Sequence, residues 1–199
     1  MSDYKSIFED NIKRVKALKS IYASIGSEST SKYKGTDILR AATVFLHSSF
    51  EKYYRCVVTE WLPKKGEPGT LKTIALPEDA GRNKVNYSLY DLLQKHGANT
   101  IQNLFQEAVA EHMSRSSFNS YGEICSWGSK IGLVFSSFKK GTEIEKAIHR
   151  RHKIVHEADL KIDSSGKKTL SPIKESDIDN WLAAYTELVD IIDVQINTW

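Results

Sequence analysis

Proline and glycine are scarce in this chain, four and eleven among 199 residues. That excludes collagen-like and Pro/Gly-rich low-complexity architectures and leaves room for long uninterrupted elements. Cysteine is scarcer still. Cys56 and Cys125 stand far apart, with none of the paired spacings of zinc sites or disulfide frameworks. Both sit among helix-forming residues, which predicts free, buried thiols in a reducing compartment. No apolar run approaches the roughly 18 residues of a membrane helix. The opening MSDYKSIFEDNIKRVKALKS carries charge throughout, where a secretory leader has an apolar stretch. The expectation is a cytoplasmic protein. No acidic cluster is built to hold magnesium. A net charge of only +3 tolerates an anionic partner without demanding one.

What is present is an ordinary globular balance, 40% apolar and 27% charged, which disfavours disorder. The length suits one domain with a proper core, and no repeat or composition shift marks a boundary. Helical periodicity dominates. Phe8, Ile12, Val15, Leu18, Tyr22 and Ile25 recur at three- and four-residue intervals, which predicts a helix over roughly 4–25. The stretch ILRAATVFL, apolar nearly all round, predicts a second helix over about 36–62, capped by Thr36 or Asp37 and stopped by Pro63. A long irregular loop follows over 67–87. Shorter helices are expected near 87–95, 100–113 (Thr100 capping) and 121–133. A helix over about 142–159 comes next, then a polar loop at 163–168 with short strands possible beside it. A closing helix over about 176–197, capped by Ser176, presents Ile178, Trp181, Leu182, Tyr185, Leu188, Val189 and Ile192 as one stripe. The fold class is all-α, a helical bundle with one long inter-helix loop and a single domain.

One helix breaks its own pattern. On the helix over 142–159, Ile144, Ala147, Ile148, Ile154, Val155 and Ala158 gather into one apolar sector at about 100° per residue. Arg151 falls near the middle of that sector. A guanidinium there is costly unless it meets carboxylates or a bound anion, or snorkels outward at the edge of the core. Half of the six histidines lie close by. His149, His152 and His156, spaced by three and four, share one flank. They form either a solvated face or a set of groups able to exchange protons near neutral pH. A zinc reading of His152-x-x-x-His156 fares poorly, because Lys153 stands where the metalloprotease pattern has Glu.

The string HRRHKIVHEAD resembles the Arg-φ-x-x-x-His signature of HEPN domains. It is similar in particular to the RiboL-PSP-HEPN branch, whose motif reads Arg-Arg-x-x-Ile-Val-His followed by an acidic residue. DILRAATVFLHSSFEKYYRCVVTEWL resembles that branch's long second helix, and SPIKESDIDNWLAAYTELVDII its closing segment. The likeness covers most of the chain after Lys34. It implies a helical bundle that dimerises with the two motifs facing across a cleft, and an endoribonuclease of toxin or antiviral defence systems working without metal or other cofactor. Arg151 and His156 would then be the catalytic pair and His152 the accompanying polar residue. His149, Arg150 and Lys153 match no required position and would at most touch RNA.

Arg151 and His156 lie about 140° apart on a regular helix, so one helix does not easily aim both at one phosphate. A second copy across a two-fold axis supplies the missing side. The implied chemistry is attack by a ribose 2′-hydroxyl, leaving a 2′,3′-cyclic phosphate and a 5′-hydroxyl. DNA lacks that nucleophile. Lys64, Lys65, Lys139, Lys140, Lys167 and Lys168 could follow a phosphate backbone but read more simply as solvated loops. Tyr53, Tyr54, Phe118 and Tyr121 could stack on bases, although core packing is the simpler reading at their spacings. The alternative function is a non-catalytic HEPN module for dimerisation or for RNA or nucleotide binding. An antitoxin or sensor protein is a further expected partner.

Overall fold

The computed structural model describes residues 3–25, 34–75, 97, 100–162, 164 and 166–199. Along them run α1 (Asp3–Ile25), α2 (Lys34–Lys65), the one-turn α3 (Pro68–Leu71), α4 (Ile101–Ser114), α5 (Tyr121–Ser129), α6 (Gly141–Glu157), β1 (Leu160–Ile162), β2 (Lys168–Leu170) and α7 (Glu175–Ile196). The all-helical expectation holds. Its one exception among the described residues is a short antiparallel hairpin that sets Leu160 opposite Leu170 and Ile162 opposite Lys168. The helix expected near 87–95 lies outside the described residues, as does the larger part of the expected loop over 67–87.

The chain gathers into two compact units. The first comprises Met1–Tyr53, Phe118–Cys125 and Phe135–Trp199. Its core draws on α1 through Phe8, Ile12 and Val15, and on α2 through Leu39, Ala42, Leu46, Phe50 and Tyr53. The α7 stripe, with Ile178, Trp181, Tyr185, Leu188, Val189 and Ile192 all buried, closes it. Each such side chain contributes about 1.5–3 kcal/mol by leaving water. α7 packs against both α1 and α6. Lys5 bonds Asp190 at 2.7 Å near one end of the α1–α7 pair, and Lys19 meets Asp179 and Glu175 near the other, so the two helices run antiparallel. Such rim pairs set register more than stability.

The second unit comprises Tyr54–Ser117 and Ser126–Val134. It buries Val57, Val58 and Leu62 of α2, Leu104, Ala108, Val109 and Met113 of α4, and Ile131 and Leu133 beyond α5. Within it the His112 ring meets Trp127 edge-on at 5.6 Å, and Lys130 sits 3.8 Å above the same indole. Burial first, then Lys130 and Arg115, lower the His112 imidazole below its ordinary pKa.

Two boundaries differ from expectation for local reasons. α2 runs past Pro63 to Lys65, although a proline there lacks the N–H for the carbonyl four residues back and crowds that carbonyl. Gly66 ends it, donating to the Leu62 carbonyl at 2.8 Å in a space where a Cβ would lie 2.4 Å from that oxygen. α7 begins at Glu175 with Lys174 at the N-cap, so Ser176 lies inside the first turn. The Asp177 carboxylate accepts the Lys174 N–H at 2.8 Å. Thr100 caps α4 as expected, accepting from the Asn103 N–H at 3.2 Å.

Candidate functional site

α6 starts one residue before Thr142, at Gly141. The ring of Tyr121, itself against Phe138 at 5.7 Å, lies so close that a Cβ at Gly141 would stand 2.6 Å from it. Glu145 accepts the Tyr121 N–H at 2.7 Å and ties α5 to the same helix. Ile144, Ala147 and Ile148 then enter the core. After Ile148 the helix outruns that core. Ile154 is half-buried, Ala158 is exposed and Val155 is 48% exposed, although the helical wheel groups all three with the buried residues.

The exposed flank carries the histidines. His152 and His156 lie one turn apart with ring centroids at 4.7 Å, and His149 is exposed on the preceding turn. Arg151 is half-buried, and its Nε is buried without a hydrogen-bond partner among the described residues. No carboxylate among the described residues pairs with it. Its charge is felt at the buried Tyr185, whose hydroxyl burial raises well above its ordinary pKa; Glu51 adds to that rise and Arg151 opposes it. The Tyr185 hydroxyl lies 2.7 Å from His47 Nδ1, and His47 Nε2 lies 3.6 Å from Glu51. Arg151 thus adds a positive charge to the surroundings of a buried polar network, with no ion pair to it among the described residues.

Its neighbour behaves otherwise. Arg150 Nη2 donates to Asp159 Oδ2 and to the Ser171 carbonyl, both at 2.8 Å. From α2, Arg40 donates through Nε to the same carboxylate oxygen at 2.6 Å and through Nη2 to the same carbonyl at 2.8 Å. The Ser171 N–H donates back to the Asp159 carbonyl at 2.9 Å. Asp159 is 1% exposed. Ala158 and Asp159 both adopt left-handed backbone, φ 49° and 55°, at a cost of about 1–2 kcal/mol each for residues with a Cβ. The Asp159 N–H reaches back to the Lys153 carbonyl at 2.9 Å, so the half-buried Lys153 contributes its main chain to the helix end.

Of the residues singled out in the sequence, His152 and His156 are thus brought together, with Arg151 beside them on the chain and half-buried. Arg150 is held in the Asp159 cluster. Tyr53, Tyr54 and Phe118 are core residues. Lys64 bonds Glu60, Lys139 the Ser136 carbonyl and Lys140 Glu187. Sequence reading missed Asp159, Arg40 and Ser171. The available signal was Arg40 itself, a cation inside the apolar ILRAATVFL string that needs a buried acid. Both cysteines are free. Among the described residues no three His, Cys, Asp or Glu side chains converge to hold a metal ion, and no helix is long and apolar enough to cross a membrane.

An all-helical chain whose late helix displays a histidine pair next to an arginine with no ion-pair partner among the described residues fits the HEPN class, and the comparison with protein families agrees. A RiboL-PSP-HEPN family model matches residues 9–198, and the chain belongs to that family. Membership places it among domains that commonly dimerise and bind or act on RNA. No curated protein and no solved structure matches the chain.

Proposed function

We propose that the protein is a metal-independent endoribonuclease working as a homodimer, with Arg151 and His156 of each copy facing a shared cleft. The observation that carries this reading is the juxtaposition on α6. Two exposed imidazoles stand 4.7 Å apart, next to a guanidinium that no described carboxylate neutralises.

Neutral His156 removes the proton of a ribose 2′-hydroxyl, whose oxygen attacks the adjacent phosphorus. Arg151 from both copies stabilises the charge that grows on the phosphoryl oxygens. A protonated imidazole, His156 or His152 of the second copy, donates to the departing 5′-oxygen. The bond from phosphorus to that oxygen breaks, leaving a 2′,3′-cyclic phosphate and a 5′-hydroxyl. His149 and Lys153 stand where they can touch the RNA backbone; Arg150, held by Asp159, is less free to do so. Exposed Val155, Leu160 and Ile162 around the motif supply apolar surface for the second copy. The family resemblance extends the proposal to a toxin or antiviral role, restrained by an antitoxin or sensor protein.

The test is digestion of total RNA in EDTA by the wild type, Arg151→Ala and His156→Ala, with the product ends mapped. Cleavage by the wild type alone, with cyclic phosphate ends, supports the proposal. Equal RNA decay in all three preparations leaves a binding or dimerisation module. Cleavage that needs a divalent cation, or that cuts single-stranded DNA, contradicts the mechanism. Toxicity to a host cell, relieved by the same substitutions, tests the defence role.

A further inference from the structure

We infer that Asp159 is a positioning residue of this site, acting with Arg40 and Arg150 as a clamp that fixes the end of α6 and so the placement of His156 and His152. The inference rests on the nuclease reading for its kinetic consequence, not for its structural one.

The helix end is an improbable place to hold a catalytic imidazole unaided. The last turn of a helix has no following residues to bond its carbonyls and frays readily. His156 is the second residue before the end of α6, and the two residues after the helix are left-handed without being glycine. Such a conformation persists only where the surroundings over-determine it. Here they do. A single carboxylate oxygen of Asp159 receives one guanidinium from α2 and one from α6, and both guanidinia also hold the Ser171 carbonyl that follows β2. Three separate stretches of chain are thereby locked to the residue just past the motif. Arg40 is anchored in turn by Thr36 at 2.8 Å and Asp37 at 3.2 Å.

The cluster is not arranged for stability alone. Asp159 Oδ1, Arg150 Nε and Ser171 Oγ are buried with no hydrogen-bond partner among the described residues. A buried ion network that leaves polar atoms unpaired is a poor stabiliser compared with apolar packing, and its use here is geometric. The motif also divides labour between adjacent arginines. Arg150 fastens the helix end from inside, and Arg151 has no ion-pair partner among the described residues.

The experiment compares the wild type, Asp159→Asn and Arg40→Lys as full chains, with folding checked by circular dichroism. Asp159→Asn keeps the shape and removes the charge. RNA cleavage should lose about 10- to 100-fold in kcat, the scale of a small misplacement of a reacting group, with KM little changed. Independently of any RNA, histidine-labelled NMR should show the His152 and His156 ring signals moving toward those of free imidazole as the close, tilted pair loosens. Unchanged kcat in folded Asp159→Asn, or unmoved histidine signals, would each overturn the inference. If the wild type cuts no RNA, the nuclease reading fails and the NMR comparison still decides the clamp. Should Asp159→Asn not fold, Arg40→Lys carries the same measurements; should neither fold, the cluster holds the whole unit and not the site, and the inference is wrong.

Discussion

Two neighbouring arginines of the same chemistry have opposite circumstances, and substitution should separate them cleanly. Arg150 meets a carboxylate that is 1% exposed, so Arg150→Met leaves Asp159 with Arg40 as its remaining cation. Loss of a charged partner inside the protein costs about 2 kcal/mol, and urea unfolding should register that loss. Arg151 has no such partner among the described residues, and Arg151→Met removes a buried, unsatisfied Nε. Its stability should stay within about 0.5 kcal/mol of the wild type. RNA cleavage should show a contrasting pattern. On the proposed mechanism Arg151→Met loses about 100-fold or more, as does removal of a donor from a developing oxyanion. Arg151→Lys should not restore the rate, because a point charge does not reproduce the planar fork of donors. An Arg151→Met protein that unfolds as easily as Arg150→Met would mean that its guanidinium serves the fold.

At the scale of elements, α6 is set by what stands at its first residue. An alanine at 141 would bring a Cβ to 2.6 Å from the Tyr121 ring, which is itself seated on Phe138. Gly141→Ala should therefore destabilise the chain by about 1–3 kcal/mol through overpacking, against the slight gain alanine gives elsewhere in a helix. A melting curve that rises instead would show that the ring gives way freely. In the second unit, α4 carries a pH dependence. The His112 imidazole lies below its ordinary value near 6.5 because of burial, with Lys130 and Arg115 adding to the effect. The unfolded chain takes up that proton first, so its contribution is complete above about 6.5 and fades as the pH falls. Between pH 7 and pH 5.5, His112→Phe should lose less melting temperature than the wild type; an equal loss would remove His112 as the cause. Much of this architecture is legible in the sequence. The stripes of α1 and α7 announce themselves by spacing, Thr100 caps as its side chain suggests, and the histidine flank follows from the helical period alone. What escapes periodicity is where a helix leaves the core: Val155 belongs to the apolar sector of α6 and is nonetheless half exposed. Equally hidden is a pairing 119 residues apart, since nothing local in ILRAATVFL or HEAD says that Arg40 and Asp159 meet.

For the whole molecule, the decisive question is whether one copy suffices. On α6 the histidine pair and Arg151 diverge by more than a quarter turn, and Arg151 is half-buried while His152 and His156 are exposed. A phosphate gripped by both groups is more easily served by two chains than by one. Mixing Arg151→Ala with His156→Ala, each inactive alone, yields roughly half heterodimers if subunits exchange at random. Each heterodimer carries one intact arginine and one intact histidine, on opposite chains. If the site is composite, the mixture recovers a measurable share of wild-type cleavage, and the recovery grows with time as subunits exchange. If the arginine and the histidine must come from the same chain, or both arginines are indispensable, no mixing ratio restores anything. A third variant anchors the result to the surface around the motif. Val155→Asp places a charge next to His156 at an exposed apolar position of α6 and should both dissociate the dimer, read by light scattering, and abolish the complementation. A monomer that cleaves at the wild-type rate would refute the two-chain site outright, whatever the mixing experiment gave.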